Sequence, residues 1–319
     1  MRAYRWQSRQ AHLLCEATST ADPVQGIRLL AAELIDLVGF EEPPFDPRVM
    51  ASFRNIFDIR SAAMQSDARL IPNAQGLLIE VNESHSRGKQ NFSADHEISH
   101  TLMPDYAGEP VSDERTGQFP SGREEELLCD IGAAALLLNS HWLHPRAQEL
   151  GQSLGSLQSL AEQFDASLEA TARQLTDGNV WPVAFIVWED GLRKEHQISQ
   201  DQGMLPGLEA WATITPNLRV SRRYASDSFQ KHGYYIPFNK SAPESSLIVG
   251  CGSEMPYAQE LVDFDFGPRH TPVRLSCESW YVPYRKNGEM HRRVISLVEL
   301  PTSHHLLREP HHYQLEAFS

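Results

Sequence analysis

The period of the hydrophobic pattern changes near residue 178, and no other feature of the 319-residue chain constrains its fold as strongly. Before that point apolar residues recur at helical spacing. From Asp22 to Val38, Ile27, Leu30, Ala31, Leu34, Leu37 and Val38 share one face of a helix entered through Pro23 behind an Asp22 cap. After it, short runs of strand character ("VWPVAFIVWED", "LEAWATITPNL", "SSLIVGCG", "VRLSCESWYVPY", "RRVISLVEL") alternate with turn residues. Helices first and strands later make the chain α+β, with a helical N-terminal part carrying a small antiparallel sheet and a β-rich C-terminal part.

Finer reading of the first half gives the order of elements. Gly39 and "EEPPFDP" stop the first helix, and "RVMASFRNI" starts a second, short one from Pro47. Gln75 to Ser84 reads as a strand, Phe92 to Met103 as a helix ended by Pro104, and Asp105 to Gly122 as a loop. Arg123 to Leu138 is a strongly apolar helix with acids in its first turn, and Ser153 to Leu175 forms two short helices around "FDAS". The expected domains are residues 1–150, a helical segment over 151–178, and residues 179–319.

The formal net charge of -14 disfavours nucleic acid and anionic membrane surfaces as partners, since both draw on clustered positive charge. The N-terminal residues lack the apolar core of a signal peptide, and no run reaches transmembrane length. Cys15, Cys129, Cys251 and Cys277 are scattered without metal-ribbon spacing, which suits reduced thiols; the expected location is cytoplasmic, away from membranes.

Chemistry concentrates in "SADHEISH", Ser93 to His100. Residues i and i+4 of a helix share a face, so His96 and His100 can direct ring nitrogens at one ion with Glu97 alongside. A hydrolytic zinc keeps three protein ligands, so one more is needed. The residues after His100 (Thr101, Leu102, Met103, Pro104, Asp105, Tyr106) exclude the metzincin pattern, which supplies a third histidine. Glu126 on the following helix suits the role, because Asp130 lies one turn on and can accept the outer ring N–H of a ligating histidine. Glu124 and Glu125 are alternatives without that support, their i+4 positions being Leu128 and Cys129.

"NFSADHEISHTLM" followed by "EEELLCDIGAAALLLN" resembles the ImmA/IrrE family of zinc metallopeptidases, with its pattern R-x-x-F-[TS]-x-A-H-E-[IL]-[GS]-H and then E-x-x-A-[ND]-x-F-A-A-x-L-L-M-P. The proline-bearing lead-in "LIDLVGFEEPPFDPRVMASFRNI" is similar too, and the likeness covers about residues 22–175. The chain departs from the pattern at Asp95 (a small residue is usual), Gly132 (an aromatic) and Asn139 (a proline). Asp95 reads either as a solvated side chain or as one that tunes access to the metal. The resemblance implies a zincin-like catalytic domain with Zn2+ held by His96, His100 and Glu126, and Glu97 as the catalytic carboxylate that takes a proton from water and returns it to the leaving amine. It also implies a regulatory endopeptidase that cleaves a helix-turn-helix transcriptional repressor. Tyr106 and the histidines outside the motif are candidate oxyanion donors, and Gly76 to Val81 is a candidate edge strand for an extended substrate. The other reading is a non-proteolytic, zinc-containing regulator that binds a transcription factor; Glu97 argues against it, because a binding module has no use for that carboxylate.

The helical segment over 151–178 has helix-turn-helix rhythm, but Ser153 to Asp177 carries Glu162, Asp165, Glu169 and Asp177 against Arg173, which favours packing or protein docking over DNA contact. The β-rich part suits a GAF-like sensor or a substrate-binding module. Arg219, Arg222, Arg223, Lys231 and Lys240, and then Arg285, Lys286, Arg292 and Arg293, read as solvated faces, and His304, His305, His311 and His312 as a tail. Nothing in the sequence sets the oligomeric state.

Overall fold

The computed structural model describes residues 5–106, 122–192, 217–266, 271–286 and 288–300. The chain divides into two compact units, Met1–Arg146 with Gln158–Gln174, and Ala147–Leu157 with Leu175–Ser319.

The first unit opens with α1 (Arg9–Thr18), whose start is held by the Ser8 hydroxyl on the Ala11 N–H and by the Glu124 carboxylate on the backbone N–H groups of Gln7 and Ser8. The chain continues into α2 (Pro23–Val38), where the Asp22 side chain accepts from the Val24 N–H, and α3 (Pro47–Ser52), which Asp46 caps on the Arg48 N–H. A three-stranded sheet follows: β1 (Ile56–Ala62), β2 (Ala68–Asn73) and β3 (Gly76–Asn82), in the order β1-β3-β2. β2 and β3 are antiparallel, as expected of the small sheet, whereas β1 and β3 are parallel. β3 is therefore the central strand, buried from Leu77 to Asn82, and the expectation that Gly76 to Val81 forms an edge is wrong. Its near-continuous apolar run is the signature of a strand covered on both faces. Glu80 is the one charge on it. Arg60 and Arg69 stand opposite on the two neighbours, with Nε atoms 2.9 and 2.7 Å from its two oxygens. The Arg60 hydrogen bond is the main reason its carboxyl lies below the usual range, against the effect of burial.

Beyond the sheet come α4 (Arg87–His100), α5 (Arg123–Leu137), α6 (Ser140–Leu150), α7 (Leu154–Gln163) and α8 (Leu168–Asp177). α4 and α5 pack closely at Gly132, where an added Cβ would meet Ser99 Oγ at 2.7 Å and Ile27 Cγ1 at 3.0 Å. The glycine that replaces the family's aromatic residue thus brings α5 onto both α4 and α2. The turn between α7 and α8 rests on the start of α4: a Cβ at Gly88 would lie 2.8 Å from the Ala166 carbonyl carbon, Asn91 donates to the Asp165 carbonyl, and Arg87 pairs with Asp165 at 2.6 Å. Phe45 fills the space between Trp142 and Phe164, with ring centroids 6.4 and 6.1 Å away.

The second unit is built on a five-stranded antiparallel sheet in the order β5-β4-β10-β7-β6. Its strands are β4 (Val183–Gly191), β5 (Asn217–Ala225), β6 (Tyr257–Phe264), β7 (Val273–Tyr281) and β10 (Arg293–Glu299), and β8 (Tyr284–Lys286) and β9 (Glu289–His291) form a separate hairpin. One face carries Ala184, Ile186, Trp188, Val220, Val262, Leu275 and Val294 against Phe229, Ile236 and Ile248, which come from α9 (Asp227–Lys231), α10 (Leu247–Gly250) and the segment between them. Within that face Trp188 Nε1 donates to Ser296 Oγ, itself 2.7 Å from Ser279 Oγ. Glu278 is buried and accepts from the Leu154 N–H at 2.7 Å; burial pushes its carboxyl up to about 7.

The α+β class and the β-rich second half match the sequence pattern, and several finer expectations do not. "SSLIVGCG" contains the short helix α10 rather than a strand. The start of α4 lies at Arg87, not Phe92. Residues 107–121 of the expected loop, residues 208–216 of "LEAWATITPNL", and the histidines at 304, 305, 311 and 312 lie outside the described residues. Three of the basic residues are not solvated. Arg219 donates to the carbonyls of Gly191 and Asn239, Arg292 to those of Val249 and Cys251, and Arg293 to that of Val282 while its guanidinium lies over the Tyr284 ring. Each turns its guanidinium to main-chain carbonyls of other segments. Among the described residues, no helix is long and apolar enough to cross a membrane.

Asp95 is not a solvated residue either. It is 0% exposed, and among the described residues neither carboxyl oxygen has a hydrogen-bond partner. Burial, with Asp46 adding to it, pushes its carboxyl well above the usual carboxylate range. The folded chain therefore holds this proton more tightly than the unfolded chain does, and the cost of the residue grows as pH rises from the ordinary carboxylate range upward. Asp95→Ala is expected to raise stability by about 1–3 kcal/mol, and by more at pH 8 than at pH 4. Denaturant unfolding at the two pH values measures this; a variant less stable than the parent at both would show that the carboxyl makes a favourable contact.

Candidate metal centre

α4 carries the centre because its two faces separate cleanly. Ala94, Asp95, Ile98 and Ser99 are buried in the unit, while His96, Glu97 and His100 line a cleft of about 510 Å³. Its C-terminal end is held from outside the helix. Arg54 donates from Nε to Thr101 Oγ1 at 3.1 Å and from its terminal nitrogen to the Thr101 carbonyl, satisfying an end that has no further helical partners. That anchor sits directly behind His100, and it was not legible from the sequence because it joins residues 47 apart.

The side chains of α5 complete the group. His96 Nε2 lies 3.2 Å from Glu126 Oε2, and His100 Nε2 lies 3.8 Å from Glu126 Oε1. The three donor atoms fall within 4.8 Å of one another. A tetrahedral ion with ligands at about 2.0–2.1 Å spaces its donors roughly 3.3 Å apart, so the arrangement fits one ion bound by two imidazoles and a carboxylate. Two nitrogens and one oxygen suit zinc and related transition metals better than calcium or magnesium, which prefer oxygen. Asp130 Oδ1 stands 2.9 Å from His96 Nδ1, which leaves Nε2 facing the donors. Of the competing acids, Glu124 is engaged at the start of α1, and burial raises the carboxyl of Glu125 above its usual range.

Burial opposes a charged His96, but the hydrogen bonds to Asp130 and Glu126 and the nearby Glu97 outweigh it and hold the ring at about 10. Burial and the His96 charge bring His100 down to about 4. The His96 hydrogen bond keeps Glu126 below its usual range. Glu97 is pushed up to about 7 by burial; the His96 charge and a hydrogen bond from the Leu70 N–H work the other way. The edge strand β2 forms a wall of the cleft. Ala68, Arg69 and Leu70 line the cleft together with Asp67, Phe92 and Ser93, whereas among the described residues neither Tyr106 nor any histidine outside the motif lines it. The cleft wall formed by β2 was missed in the sequence, where "ARLIPN" is too short and mixed to read as a strand.

Residues 54–176 match the family model for the IrrE N-terminal-like domain. The chain is 25% identical over 140 residues to the radiation response metalloprotease IrrE of Deinococcus radiodurans, covering 43% of this chain and 42% of that protein. It is 27% identical over 113 residues to the Deinococcus deserti protein of the same name, covering 34% and 40%. The match therefore spans about two fifths of each relative's length. In fold, the chain is similar to a solved Mycobacterium tuberculosis transcriptional regulator, with a TM-score of 0.52 at 11% identity, over 91% of this chain and 80% of that one. Residues 54–176, which contain the whole histidine and carboxylate cluster, thus match an IrrE N-terminal-like domain, in line with the resemblance of the motifs to the ImmA/IrrE family.

Proposed function

We propose that the chain is a regulatory zinc endopeptidase, with a catalytic domain over residues 1–150, a helix-turn-helix-like docking segment over 151–178 and a β-rich sensor or substrate-binding domain over 179–319. The observation that carries this reading is the position of Glu97, a carboxylate that shares one cleft with His96, His100 and Glu126 and takes no part in their cluster. In this reading His96, His100 and Glu126 hold Zn2+, and Asp130 orients His96. Held by these residues, zinc would supply Lewis-acid polarisation of the scissile carbonyl and of a bound water. Glu97 accepts the proton of that water and passes it to the leaving amine. Burial in the cleft favours the protonated form of its carboxyl, which suits a group that must both take up a proton and give it back.

The substrate lies along β2, in place of the β3 edge inferred from the sequence. Ala68, Arg69 and Leu70 line the cleft along the free edge of β2, where an extended peptide can add main-chain hydrogen bonds beside the Leu70 N–H that is turned to Glu97. Pro72 has no N–H to offer such a peptide. A helix-turn-helix repressor is the proposed substrate. The acidic chain suits a basic DNA-binding partner, and the name transcriptional regulator carried by the structural relative accords with such a setting. Direct DNA contact by α7 and α8 is disfavoured by their acidic balance and by the packing of their turn on α4.

Two outcomes test this reading. Zinc must displace a proton from His96, which is charged up to about 10, while His100, neutral above about 4, and Glu126, already ionised, release none. Calorimetry near pH 8 in buffers of different ionisation enthalpy is expected to show about one proton released per ion, with affinity rising roughly tenfold per pH unit. Zinc binding without proton release would place the metal elsewhere. Glu97→Gln is expected to retain the same zinc content and lose at least about 100-fold in cleavage rate of a repressor substrate, followed by mass spectrometry. Cleavage at the parent rate would remove Glu97 from the mechanism, and zinc binding with no cleavage of any repressor by the parent would favour a non-proteolytic regulator.

A further inference from the structure

The two histidines of the cluster are backed by different chemistry. His96 Nδ1 lies 2.9 Å from the Asp130 carboxylate, and His100 Nδ1 lies 3.4 Å from Cys129 Sγ, within hydrogen-bond range for sulfur. Cys129 lies three residues and Asp130 four residues after Glu126, so one face of α5 carries the inward carboxylate and a contact to the outer nitrogen of each ring. Cys129 and His100 are both buried. The family pattern has alanine at this position, so the thiol is a property of this chain.

We propose that Cys129 is a positioning residue for His100, its sulfur accepting the Nδ1–H of the neutral ring so that Nε2 faces Glu126 and the metal. A neutral imidazole carries a single N–H, and a metal takes the nitrogen that lacks it. Nε2 is the nitrogen that a metal shared with Glu126 would take, so in the metal-bound ring the hydrogen belongs on Nδ1, against the sulfur. Sulfur is a weaker acceptor than a carboxylate. The two ligands are consequently unequal: His96 is strongly backed and strongly basic, and His100 is set mainly by geometry, between the thiol and the Arg54 anchor at Thr101. The inference rests on the metallopeptidase reading but concerns metal binding, which is measured apart from cleavage.

The test compares the full-length parent with Cys129→Ala and Cys129→Ser. Zinc dissociation constants come from competition with a chromophoric chelator, and the His100 tautomer in the metal-free protein from 15N shifts of the ring. Cys129→Ala is expected to weaken zinc binding by about tenfold or more and to move His100 toward the Nε2–H form, because an outer-partner loss typically has that size. Cys129→Ser, whose hydroxyl can accept the same N–H, is expected to stay within roughly threefold of the parent. Unchanged affinity and tautomer in Cys129→Ala would overturn the proposal while leaving the metallopeptidase reading standing, as would an equal loss in both variants. A zinc-loaded parent in which Nδ1 of His100 takes the metal would overturn it without any variant, and a parent that binds no zinc would remove both readings.

Discussion

The close approach of α4 and α5 is the contact on which the centre depends. The first helix carries His96, Glu97 and His100, the second Glu126, Cys129 and Asp130, and the groups meet only if the axes come near enough for side chains of ordinary length to span the gap. Gly132 makes that approach, with Ser99 and Ile27 filling the space a side chain would need. Everything that fixes α4 then fixes the donors: Arg54 at its C-terminal end, the α7–α8 turn at its start, and the Leu70 N–H on Glu97 along its length.

The centre also carries costs. Asp95 is buried with no hydrogen-bond partner among the described residues, one residue from a ligand, and the charged His96 and ionised Glu126 stand in a partly enclosed cleft. Such groups weaken a fold and are kept where something else compensates. A cation among the three donors would do so for the cluster, because it replaces a proton with a greater positive charge held at close range. Asp95 receives no such benefit from the contacts seen here, which is why its removal separates stability from chemistry.

What the sequence made legible followed from local rules. The His96–His100 spacing, the Glu126–Asp130 turn, the Asp22 and Asp46 entries into α2 and α3, and the two short helices around Asp165 are each set within a few residues, and helical periodicity exposes them. What escaped it was set at long range. β1 and β2 carry Arg60 and Arg69 whose role exists only once Glu80 lies between them. β5 hides its strand pattern under arginines that serve carbonyls elsewhere, and α6 hides its helix behind Pro145. β3 was visible as a strand but not as the central one, since the order of strands is decided by pairing partners and not by its own residues. In the centre, the ligand types were readable, whereas the Arg54 anchor, the Cys129 contact and the β2 wall required the fold.

The account stands or falls on whether a metal occupies the point between three named atoms. Crystals of the zinc-loaded chain, measured on both sides of the zinc absorption edge, locate the ion without reference to activity. The account predicts an anomalous peak within about 2.0–2.2 Å of His96 Nε2, His100 Nε2 and a Glu126 oxygen. Zinc bound only elsewhere, for example among the histidines at 304, 305, 311 and 312, with no peak at the α4–α5 cluster, would contradict it.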